Sequence, residues 1–135
     1  MKMRNNISIL FCVFSFAMNA QTNYQSLDTI KAPASYENIF IRPLYRDSSD
    51  VSSFVIFIKK EVELHKHVEH AEHVVVLSGT GEMILGEKTF TIKKGDMIFI
   101  PKNTFHSVKT TGKIPLKVVS IQAPFFDGKD RVMKE

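Results

Sequence analysis

The chain has 135 residues, room for one domain, and its 44% hydrophobic and 24% charged content is that of a soluble globular protein. Its formal charge is +4, but two of the surplus cations, Lys2 and Arg4, lie in a stretch read below as removed. The small, scattered remainder excludes a nucleic-acid partner recruited by net charge.

Residues 1–20 read as an address. A cationic start, MKMRNN, precedes the apolar run ISILFCVFSFAM, and Asn19-Ala20-Gln21 then breaks it. That order is the signature of a secretory signal peptide, with cleavage near Ala20. The run is shorter than the roughly 20 residues that cross a bilayer, so stable membrane insertion is not expected after removal. Export to the periplasm or the exterior is the expectation. Cys12 is the only cysteine and falls inside this segment, so the mature chain has neither disulfide nor thiol nucleophile.

Residues 21–37 are polar, lack periodicity and read as a lead-in. Residues 38–126 read as the domain proper. There the runs IFIRPLY, SSFVIFI, VELHKH, EHVVVL, GEMIL, KTFTI, DMIFI, FHSVK and LKVVSI alternate with turn residues such as Gly79-Thr80-Gly81, Gly86-Glu87 and Gly95-Asp96. Branched and aromatic side chains suit a pleated, half-buried surface. Many short strands at spacings of about 8–12 residues predict an all-β sandwich or barrel without a helix. Residues 127–135 read as a charged, loosely held tail after a turn at Asp127-Gly128.

One set of residues carries chemistry. His65 and His67 are two apart, so on a strand both imidazoles share a face. Glu72 follows after a gap that fits a tight turn, and His106 comes just after the turn Pro101-Lys102-Asn103-Thr104. Three imidazoles and a carboxylate meeting in a barrel suit one divalent transition metal ion, with Fe, Mn, Ni or Zn all compatible. On the residues alone a second register stays open, with His70 replacing Glu72. Strand alternation turns His73 away from Glu72, toward solvent or a dimer edge.

These residues resemble a known pattern. His65-X-His67, four residues, Glu72, six residues and Gly79 resemble the first cupin motif. Gly95, five residues, Pro101, X, Asn103, two residues and His106 resemble the second. The resemblance spans about residues 54–124. It implies a double-stranded β-helix, or small jelly-roll barrel, with metal on His65, His67, Glu72 and His106. Three positions depart from the pattern: Lys59, Asn103 and Thr110 stand where Gly, Gly and Asn are usual. Asn tolerates a left-handed backbone, so the turn at Asn103 can survive.

Two function classes follow. One is a metal-dependent enzyme on a small oxygen-rich substrate, of the dioxygenase type or the sugar-acid isomerase or lyase type. The other is a non-catalytic exported module that binds a metal or a small ligand. Exposed strand edges leave a homodimer open.

Overall fold

The computed structural model describes residues 24–46 and 50–134; the expected signal peptide, with Cys12, lies outside the described residues. All nine apolar runs form strands. In chain order these are β1 (Ile39–Arg46), β2 (Ser52–Ile58), β3 (Glu61–Lys66), β4 (Ala71–Ser78), β5 (Thr80–Leu85), β6 (Lys88–Lys93), β7 (Met97–Ile100), β8 (His106–Thr110) and β9 (Leu116–Ala123). The tail adds a short β10 (Val132–Met133). The strands make two five-stranded sheets, ordered β1-β2-β9-β4-β7 and β10-β3-β8-β5-β6, with antiparallel pairing throughout. Among the described residues the only helical segment is the single 3₁₀ turn Leu27–Thr29.

The two sheets face each other across an aliphatic core that includes Ile58, Val76, Met83, Ile92, Leu116 and Val118. Burying each such side chain stabilises the fold by about 1.5–3 kcal/mol. In β7 the period of two is clean: Ile98 and Ile100 point inward while Met97 and Phe99 are exposed. β9 departs from it, with Leu116 through Ser120 all buried, because this central strand is covered on both faces. Its outer cover is the lead-in. Ile30 packs with Val55 and Val119, and the Lys117 ammonium donates to the carbonyls of Leu27 (2.6 Å) and Ile30 (3.0 Å).

Gly79 is required where β4 turns into β5. Its φ is +84°, and a Cβ there would lie 2.7 Å from the carbonyl oxygen of Pro115. The tail differs from expectation. Val132 and Met133 pair with Lys66 and His65 of β3, and the Asp130 carboxylate accepts from the backbone N–H groups of Val68 (2.9 Å) and Glu69 (2.8 Å). The segment is therefore fastened across the β3–β4 turn.

Candidate metal centre

Both sheets contribute to one end of the barrel interior. His65 on β3 and His106 on β8 are direct cross-strand partners, and His67 lies just past the end of β3. Glu72 enters from β4 in the opposite sheet. All four are buried, at 4–6% exposure. The turn leading into β8 is held in register by Asn103. Its φ is +60°, and its backbone N–H donates to the carbonyl of His67. The departure from Gly at this position thus keeps the left-handed backbone that the turn needs.

Each of the three imidazoles is oriented by a backbone carbonyl. The Nδ1–H of His65 donates to Glu63 (2.8 Å), that of His106 to Thr104 (3.0 Å), and that of His67 to Asp130. A carbonyl can only accept, so the proton of each neutral ring sits on Nδ1 and the Nε2 lone pair is bare. The ligating nitrogens of the three rings lie within 4.8 Å of one another. Glu72 Oε2 is 3.7 Å from His67 Nε2 and 3.5 Å from His106 Nε2. Four electron-rich atoms facing one point repel unless a cation lies among them. Imidazole nitrogens plus one carboxylate fit a divalent first-row ion, and outer partners that fix ring orientation are what such ligands ordinarily have.

The electrostatics agree with this donor set. Burial, reinforced by His106, Arg131 and His67, holds the His65 imidazole down at about 4, so it is neutral near pH 7. Burial pushes Glu72 up, but the adjacent His106 ring, the Ser120 hydroxyl that donates to it and His67 outweigh it, and its carboxyl ends below the usual range. Ser120 Oγ donates to Glu72 Oε1 at 2.5 Å.

The histidine left open by the sequence is accounted for. His70 meets Asp130 Oδ2 through Nδ1 (2.6 Å) and the carbonyl of Phe125 through Nε2 (2.9 Å), so both its nitrogens are engaged away from the three-histidine cluster. Burial pushes Asp130 up, but His70 and the Val68 and Glu69 N–H groups bring it down to about 2. His73 is exposed and stacks on Phe99, 4.9 Å between ring centroids, on the outer face. Below the cluster lies a cavity of about 290 Å³ with largely aliphatic walls, among them Ile58, Val74, Met83 and Val118. Phe126, packed edge-on to His67 and His70, also lines it, and Gln122 and Arg131 contribute polar groups. Asp130, Gln122 and Arg131 had no role in the sequence reading. Alternation along β9 points Ser120 and Gln122 inward, but nothing local marks Asp130.

Residues 22–134 match the family described as mannose-6-phosphate isomerase C-terminal. The chain belongs to that family, a cupin-type barrel. This cupin is 36% identical over 89 residues to an uncharacterised protein of Aquifex aeolicus, covering 66% of this chain and 73% of the relative. It is 38% identical over 72 residues to the mannose-1-phosphate guanylyltransferase RfbM of Salmonella typhimurium, covering 53% of this chain. There the cupin spans only 15% of the relative's length. Among solved structures, a Klebsiella pneumoniae protein with a double-stranded β-helix domain superposes with a TM-score of 0.72 at 21% identity, covering 84% of this chain and all of that one. That likeness is one of fold.

Proposed function

We propose that this cupin holds one divalent transition metal ion on His65, His67, His106 and Glu72, and that it is an isomerase or lyase acting on a small, oxygen-rich, sugar-type substrate. The observation that carries the reading is the convergence of three bare Nε2 lone pairs and a carboxylate, each ring locked by its own carbonyl acceptor. When bound, such an ion supplies Lewis acidity toward a carbonyl or hydroxyl oxygen. The protein's own part is to hold the His65 imidazole neutral, to orient all three rings through backbone carbonyls, to keep Glu72 ionised with help from Ser120, and to line the site with Phe126 and aliphatic side chains. The sugar-type substrate is favoured over the dioxygenase alternative by the family's description and by the guanylyltransferase relative, whose names concern mannose phosphates.

Export belongs to the same reading and rests on residues 1–20; amino-terminal sequencing of protein from its own host should begin near Gln21. The test of function is a screen of sugars, sugar acids and sugar phosphates with metal-loaded protein. Turnover that stops on chelation and returns with metal is expected. A ligand recovered chemically unchanged, with a raised melting temperature, would make the protein a binding module instead.

A further inference from the structure

The three imidazoles are not held alike. His65 and His106 each donate to a carbonyl two residues earlier in the chain, Glu63 and Thr104, so the local backbone sets them. His67 lies past the end of β3, and its Nδ1–H donates to the backbone carbonyl of Asp130, sixty-three residues further on. One of the candidate ligands thus takes its orientation from the C-terminal tail.

That tail is fastened on both sides of His67. Before it, Val132 and Met133 pair with Lys66 and His65, and the Lys134 N–H donates to the carbonyl of Leu64 (3.2 Å). After it, the Asp130 carboxylate accepts from the N–H groups of Val68 and Glu69. Phe126 packs on the His67 ring itself, 5.1 Å between centroids. Docking therefore steadies the backbone from Leu64 to Glu69, with His65 and His67 inside it. The attachment is slight by itself: β10 has two residues, and Val132 and Met133 are both exposed. A segment so held opens locally without unfolding the barrel.

We propose that Asp130 is a positioning residue of the metal centre, and that docking of residues 128–134 and uptake of the ion are coupled through His67. The inference rests on the metal-binding reading above and adds the element that tunes it. A carbonyl on Nδ1–H fixes the ring and raises the basicity of Nε2, the ligating nitrogen. In return, an imidazole that shares its Nε2 pair with a cation has a more acidic Nδ1–H and holds the Asp130 carbonyl more firmly. Linkage makes the two effects equal: docking raises ion affinity by the factor by which the ion stabilises the docked tail. Arg131 makes the sign decisive. The docked tail carries this cation to the cavity beside the cluster, where it opposes a bound ion, so charge alone would make undocking raise affinity. Positioning makes undocking lower it.

The test uses Zn²⁺ and the full chain. In calorimetric titration Asp130→Ala, which frees the tail, should bind Zn²⁺ about tenfold more weakly than wild type. In nitrogen-edited proton NMR of the Zn²⁺-loaded variant the His67 Nδ1–H resonance should be lost, while those of His65 and His106 remain. Asp130→Asn keeps an oxygen for the Val68 and Glu69 N–H groups and should recover most of the affinity and the resonance. Asp127→Ala, in the same tail but with its carboxylate on Lys129, should change neither. In wild type, Zn²⁺ should slow amide exchange at Val68, Glu69 and Lys134 about tenfold. It should slow Gly112 far less, since that amide bonds to Thr80 at the other end of β5 from the partner of His106. If Asp130→Ala does not fold, the exchange measurement on wild type decides by itself. Wild type that takes up no Zn²⁺ defeats the metal-binding reading. Wild type that binds Zn²⁺ overturns the coupling alone if Asp130→Ala binds as tightly or tighter, if the variant keeps the His67 resonance, or if tail exchange ignores the ion.

Discussion

Replacing Asp130 with alanine tests whether the tail is part of the barrel. In the structure its carboxylate accepts from Val68 N–H at 2.9 Å, from Glu69 N–H at 2.8 Å and from His70 Nδ1 at 2.6 Å. The carboxyl sits at about 2 rather than 3.8, a gap worth about 2 kcal/mol in favour of the folded, ionised form. The backbone donors can find water once the carboxylate is gone, whereas the His70 donor is buried, so Asp130→Ala should cost about 2–3 kcal/mol at pH 7. For a domain of this size that is about 10–15 °C in melting temperature, read by circular dichroism. The sign of the pH effect follows from the depressed value. The contribution is complete above about pH 4 and is lost as pH falls toward 2, so the gap between wild type and variant should close over that range. Amide exchange at Val68 and Glu69 should accelerate in the variant. A loss under about 0.5 kcal/mol at pH 7, in the range of ordinary surface substitutions, or a gap that ignores pH down to 2, would refute the reasoning.

Three further outcomes are expected. Gly79→Ala should lower stability by about 2–3 kcal/mol in urea denaturation, since its Cβ would lie 2.7 Å from the Pro115 carbonyl oxygen at a φ of +84°. Lys117→Met should free the lead-in from the carbonyls of Leu27 and Ile30, and limited proteolysis should then cut within residues 24–35 while the barrel remains intact. Metal-free protein should lose stability as pH falls from 6.5 to about 4. His65, lowered to about 4, stays neutral when folded while the unfolded chain takes up the proton, and His65→Asn should flatten that slope by up to about 3 kcal/mol in chemical denaturation.

The strands were legible because each is short, apolar and bounded by residues that turn the chain, and all nine runs became strands. The four candidate ligands were legible as well: the two-residue spacing of His65 and His67 puts both on one strand face, and the motif offsets named Glu72 and His106. Long-range partners were not. His70 remained a possible ligand until the structure paired it with Asp130, sixty residues away, a contact that no local pattern encodes. The tail misled for the same reason. Its charge and its Asp127-Gly128 turn suggest a loose end, yet a two-residue strand and one carboxylate fasten it to β3 and the turn that follows. Gln122 lies one residue past the run LKVVSI, and only the commitment of the Ser120 proton to Glu72 reveals that its oxygen lacks a partner among the described residues.

The central claim is that four donors from two sheets hold a single ion. Titrating metal-free protein with Co²⁺, and following the visible absorption of the bound ion together with elemental analysis, measures this directly. The account predicts saturation at one ion per chain for the wild type, and no uptake by His106→Ala despite an unchanged β-sheet circular dichroism spectrum. A wild type that binds no ion, or a His106→Ala variant that saturates with the same affinity and stoichiometry, would contradict it.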